Sequence, residues 1–141
     1  MMKVSLLAIT IIVLVSCTSG IPLKSVDYET LFTDGNSKVW LINKVVFNGA
    51  IISPINNADK DVLIFYANGH ANQIATKEIG RIVPLKAHFH LNSRGRLLQL
   101  EFKDFYSEYK LPYITEDSIL LQPTSDSETK FSMQLIPFAE L

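Results

Sequence analysis

The chain has 141 residues, with 13 basic and 14 acidic side chains and a formal net charge of −1. That length suits a single domain with one core, and a near-neutral balance with both signs interspersed excludes an electrostatic case for nucleic acid. Its one cysteine, Cys17, leaves no second thiol for a disulfide, a redox pair or a thiolate metal site.

Met1-Met2-Lys3 makes a short basic start, and Val4 to Val15 follows with only Ser5 and Thr10 as polar interruptions. As a helix this run would span roughly 18 Å, short of a hydrocarbon core of about 30 Å. A basic n-region, a short apolar h-region and a small residue at the boundary form the pattern of a secretory signal peptide over residues 1–16. Leu14-Val15-Ser16-Cys17 resembles the lipobox of bacterial lipoproteins. The resemblance implies a diacylglycerol thioether on Cys17, cleavage between Ser16 and Cys17, and acylation of the new amine, with palmitate as the expected chain. The membrane is then a partner through the lipid anchor. Several acyl chains, at about 0.8 kcal/mol per buried CH₂, hold stably where one holds marginally. Thr18 stands where an Asp would retain some lipoproteins in the inner membrane, so the same resemblance favours the outer membrane of a bacterial envelope. Residues 17–30, mixing Gly, Pro, Ser and charges, suit a tether.

Val26 to Phe32 suits a short helix, with Ser25 as its N-cap and Asp27 and Glu29 in the first turn. From Ser37 onward the apolar period is mostly two. Val39 to Phe47 is rich in β-branched and aromatic residues and predicts a strand. Asp61 to Ala67 predicts a second, and Asn68-Gly69 a type I′ hairpin turn into a return strand over His70 to Thr76. Arg81 to Leu91 alternates, with Val83, Leu85, Ala87, Phe89 and Leu91 on the core face. Ser93-Arg94-Gly95 turns it into Leu97 to Phe102, where Leu98, Leu100 and Phe102 repeat the pattern. Further strands fit Tyr109 to Ile114, Ser118 to Gln122 and Lys130 to Phe138, with Phe131, Met133 and Leu135 sharing a face. Pro112, Pro123 and Pro137 suit strand ends or edges. Roughly eight strands joined by tight turns predict an all-β fold, an antiparallel up-and-down β-barrel over residues 31–141, closed so that no edge is left unpaired.

Four stretches in order, Ser37 to Ile42 with its Lys-x-Trp, Leu63 to Gly69, Tyr113 to Leu121 and Met133 to Pro137, resemble the small lipocalin-like lipoproteins common in Bacteroidota. The likeness covers about residues 31–138 and implies a lipocalin-like barrel. The Gly-x-Trp of true lipocalins is absent, since Asn36-Ser37-Lys38-Val39 precedes Trp40. A large aromatic near the start of the first strand is expected to plug the closed end of such a barrel, with its indole N–H finding one partner. In a hollow barrel, Trp40, Phe65, Phe89 and Tyr106 are instead the candidate ligand-binding residues.

His88-Phe89-His90 places two imidazoles on one face of a strand, and His70 after the hairpin turn offers a third. Since Ala87 and Phe89 claim the core face, His88 and His90 are expected in solvent beside Lys86, and no metal site is expected. The carboxylates of Asp59-Lys60-Asp61, Glu116-Asp117 and Asp126-Ser127-Glu128 fall in predicted turns. No Gly-x-Ser-x-Gly elbow or Gly-rich phosphate loop occurs. No catalytic residue, enzyme activity or cofactor is therefore expected. Phe102, Phe105, Tyr106 and Tyr109 are expected to cap the barrel mouth. Two functions fit. One is an interaction or accessory module with a filled barrel, docked on an envelope protein partner. The alternative is a carrier that holds a small apolar or amphipathic ligand inside the barrel.

Overall fold

The computed structural model describes residues 28–92, 94 and 96–139. The signal peptide, Cys17, the Ser25 cap and most of the tether lie outside these residues. Among the described residues one short helix, α1 (Tyr28–Thr33), precedes nine strands. It begins inside the segment assigned to the tether, and packs Phe32 into the barrel. Asp34 N–H closes the last turn on the Thr30 carbonyl at 2.7 Å. Asp34 and Gly35 then take left-handed conformations, with φ of 50° and 78°, and turn the chain into the sheet.

The strands are β1 (Ser37–Phe47), β2 (Ala50–Ile51), β3 (Asp61–Tyr66), β4 (His70–Ala75), β5 (Leu85–Asn92), β6 (Leu97–Phe102), β7 (Tyr106–Ile114), β8 (Ile119–Pro123) and β9 (Ser132–Pro137). All pairings are antiparallel, in the order β2-β1-β3-β4-β5-β6-β7-β8-β9, and β1 also pairs with β9. Eight strands thus close an antiparallel barrel, and β2 is a two-residue addition to β1. Closure depends on the length of β1. Ser37 to Leu41 pairs with β3, while Trp40 to Val46 pairs with β9. A register shift between Ile42 and Lys44 bends the strand between its two partners. Pro112 sits at a similar shift in β7, and Pro123 and Pro137 end their strands, where no ladder donor is lost.

Two sequence expectations need correction. Asn68-Gly69 does join β3 to β4, but only Gly69 is left-handed, with φ 87°. The Asn68 side chain accepts from His70 N–H at 3.1 Å, and Gly69 N–H bonds back to the Tyr66 carbonyl. The turn is therefore a right-handed one ending in a left-handed glycine. The type I′ geometry occurs instead at Asn48-Gly49, with φ of 50° and 77°, between β1 and β2. The second correction concerns the start of β5. It begins at Leu85, after a loop containing a 3-10 turn (Thr76–Glu78), left-handed Gly80 and Pro84. Val83 is 79% exposed and Leu85 55% exposed, so the buried face of this strand starts at Ala87. Gly80 and Pro84 interrupt the ladder here, and the alternation that precedes Leu85 belongs to a loop.

The interior is filled from every strand of the closed barrel, including Trp40, Leu63, Phe65, Leu100, Tyr109, Leu121 and Leu135, all at most 2% exposed. A second cluster lies on the outer face of β1, β3 and β4, where Leu41, Val62 and Ile74 are buried beside Ile136 and Phe138. This explains the unbroken apolar runs in β1 and β3, since both faces of those strands are covered. The loop 67–69, the β5–β6 connection and the loop 115–118 lie at one end, and α1 packs there. The loops at the other end are 48–60, 76–84, 103–105 and 124–131. The first is the closed end and the second is the mouth.

Candidate functional site

At the closed end Trp40 is fully buried, and its Nε1–H donates to the Phe32 carbonyl of α1 at 3.0 Å. Phe32 meets the Phe65 ring edge-on at 5.0 Å, and Phe65 meets Phe89 in the same way at 5.1 Å. Such edge-to-face contacts suit the ring quadrupoles. Lys38 lies over the Trp40 ring with Nζ 4.3 Å from its centroid, and reaches Asp34 at 3.5 Å. The structure thus brings together Trp40, Phe65 and Phe89, three of the four aromatics named as ligand contacts, as a packed plug.

Tyr106 lies apart from them. Its hydroxyl donates to Glu108 at 2.7 Å, and the same carboxylate accepts from Gln99 at 2.9 Å and Thr124 at 2.8 Å. Burial, helped by the Glu108 acceptor, pushes the Tyr106 phenol up to about 12. Donors from Gln99, Tyr106 and Thr124 hold the Glu108 carboxyl below its ordinary value. Burial likewise raises the Tyr109 phenol inside the barrel. Of the aromatics expected to cap the mouth, Phe105 does so, stacked on Phe102 at 4.3 Å.

The mouth holds a cup of about 250 Å³ lined by Ile42, Val45, Ile52, Lys60, Phe131 and Met133, among others. Beneath Phe105 lies a void of about 80 Å³, which shares Gln73, Phe131 and Met133 with the cup. Drug-sized ligands ordinarily need about 300–1,000 Å³ of enclosed space, so the barrel interior proper is packed. The polar groups of the cup are tied to their neighbours. Lys60 Nζ donates to Asn43 at 3.1 Å, Gln73 donates to Asp61 at 2.9 Å, and Asp59 pairs with Lys77 at 2.9 Å.

Around this cup stands an apolar rim. Phe47, Ile51, Ile52 and Ile55 come from the β1 end and the 48–60 loop. Ile79, Ile82, Val83 and Leu85 come from the 76–84 loop and the β5 start, and Phe105 from the β6–β7 connection. These are nine of the eleven large apolar side chains exposed among the described residues; the other two, Tyr113 and Leu120, face a shallow groove on the outer wall. Ile55 is 99% exposed. A concentration of exposed apolar side chains at one end of the barrel is the pattern of a contact surface. The rim was missed by sequence reasoning, although Gly49-Ala50-Ile51-Ile52-Ser53-Pro54-Ile55 carried a signal, since it is apolar yet bounded by Gly and Pro.

On the polar wall, His70 of β4 and His88 of β5 are register partners with ring centroids 4.5 Å apart, and His90 points outward further along β5. Among the described residues, no three His, Cys, Asp or Glu side chains are grouped closely enough to hold a metal ion. Also among the described residues, no helix is long and apolar enough to cross a membrane.

No family model and no curated protein matches the chain. An NMR structure of a protein from Bacteroides uniformis ATCC 8492 resembles it with a TM-score of 0.54, covering 79% of this chain and 93% of that one at 13% identity. At that identity the likeness shows the fold alone: a small β-barrel.

Proposed function

We propose that the protein is a non-catalytic, lipid-anchored accessory module of a bacterial cell envelope, of the lipocalin-like lipoprotein kind, which docks a protein partner on the apolar rim of its barrel mouth. One observation carries the proposal: exposed large apolar side chains are concentrated at the mouth while the interior behind them is packed. Keeping so many isoleucines in water without a partner is unfavourable, at about 25 cal/mol for each Å² of apolar surface. A protein partner fits better than a bilayer. The rim mixes Asp59, Glu78 and Asp104 with Lys77, Arg81 and Lys103 and so lacks the basic excess that anionic lipid attracts. The described chain also enters through α1 at the closed end, so a lipid on Cys17 would tether the barrel by that end and leave the mouth free to face away from the bilayer.

The alternative, a carrier for a small apolar or amphipathic ligand, has one observation in its favour: the cup of about 250 Å³, with Lys60 on its wall. Photo-crosslinking residues placed at positions 55 and 83 in the source cells test the first reading, with position 101 on the polar wall as the control. Discrete adducts at both rim positions and none at the control support docking. Equal labelling at all three positions removes it. A ligand panel that raises the melting temperature with concentration, by mass action, moves the assignment to the carrier. Membrane anchoring is tested separately with Cys17→Ala, which is expected to shift the protein from the membrane pellet to the soluble fraction.

A further inference from the structure

We infer that the outer wall of β4 and β5 carries a two-histidine site for a divalent transition metal, formed by His70 and His88. All three histidines of the chain, His70, His88 and His90, fall on this one wall. The sequence suggests pairing His88 with His90, two residues apart on a strand. The barrel instead makes His70 and His88 direct cross-strand partners, and directly opposed residues approach more closely than i and i+2 neighbours.

The ring separation is compatible with a shared ion. With metal–nitrogen bonds of about 2.0–2.1 Å, an imidazole centroid sits about 3.2 Å from the metal, and two rings bound at a right angle have centroids about 4.5 Å apart. The observed separation is 4.5 Å, with the ring planes inclined at 49°. Both side chains are exposed, so the ion can reach them and keep water in its remaining positions. Glu101 is the register partner of His88 on β6 and is also exposed, where it adds a negative charge to the wall. Lys86 and Lys103 border the same depression and oppose a dication, which sets the affinity below that of a closed structural site. Imidazole ligands with open positions favour copper(II) over nickel(II) and zinc(II) by the Irving–Williams order, and leave magnesium unbound.

Neither histidine belongs to the apolar rim, so the outcome here is separate from that of the docking reading. The test uses the full chain in detergent, with copper(II) added in substoichiometric amounts and its paramagnetic broadening followed in amide proton–nitrogen spectra. Broadening should centre on the amides around His70 and His88. In His70→Ala and in His88→Ala that broadening should be lost, with copper affinity at this wall lowered by about tenfold or more. His90→Ala should keep it. All three positions are exposed, so the variants fold, and unchanged spectra without metal verify this. Broadening on this wall that persists in His70→Ala, or that vanishes in His90→Ala, would overturn the assignment, as would an absence of broadening there in the parent chain.

Discussion

Trp40→Ala examines the plug that closes the barrel. The side chain is fully buried, and it joins α1 to β1 through its contact with Phe32 and its indole hydrogen bond to the Phe32 carbonyl. Truncating a buried Trp to Ala costs about 3–5 kcal/mol in transfer and cavity terms. The Phe32 carbonyl also loses its donor, which adds about 1–3 kcal/mol if water does not replace it. The Lys38 contact over the ring is also lost, at about 0.5–1 kcal/mol. A loss of at least about 4 kcal/mol is therefore expected, from a total that for small domains is about 5–15 kcal/mol. Trp40→Phe keeps most of the ring but not the donor, and should fall between the parent and the Ala variant. Urea unfolding followed by far-ultraviolet circular dichroism measures all three without relying on the lost indole emission, and a lowered midpoint at constant slope reports stability alone. Hydrogen exchange over residues 28–33 should accelerate in both variants as α1 loosens. A loss below about 1.5 kcal/mol for Trp40→Ala, with α1 exchange unchanged, would refute the plug. Partial recovery of the Ala variant by an apolar ligand would point instead to a cavity at this end.

Three further outcomes follow from particular residues. Glu108 is held below its ordinary value by its donors, so its contribution to stability is full above the ordinary carboxyl range and is lost as the pH falls through the lower folded value; Glu108→Gln should therefore flatten the acid limb of a stability–pH curve, and an unchanged limb would count against this network. Gly69→Ala should cost about 1–2 kcal/mol from its left-handed backbone alone, because the added methyl meets nothing nearer than the Phe89 carbonyl oxygen at 4.0 Å; chemical denaturation gives the value, and a neutral result would mean the turn relaxes. Val83→Ser should leave stability within about 0.5 kcal/mol while Leu100→Ala costs about 2–5 kcal/mol, a contrast that thermal melts read directly and that equal losses would contradict.

Alternation located most of the strands, because burial on one side of a pleated chain imposes a period of two wherever the chain is in a packed sheet. Leu98, Leu100 and Phe102 face inward as their spacing predicts, and so do Met133 and Leu135. Trp40 also plugs the closed end with a partner for its indole, since an aromatic with a polar handle at the start of a strand has few other ways to be buried. The same period misleads where the chain leaves the sheet. Val83 and Leu85 continue the pattern of Ala87 into the mouth, where no strand packs over them, and pattern alone does not register that absence. Turn type at Asn68-Gly69 was likewise out of reach, because the Asn side chain chose a local hydrogen bond that a dipeptide signal does not encode. By itself, then, the sequence determined the all-β class, the approximate strands and which way most side chains point, all of which are consequences of local chemistry. Only the tertiary structure decided that β1 bends to meet both β3 and β9, that Leu41, Val62 and Ile74 share a second core outside the barrel, that the exposed isoleucines gather around one mouth, and that His70 faces His88. Each of these depends on register between segments distant in the chain, and register is set by the summed packing of the closed sheet rather than by any one stretch of it.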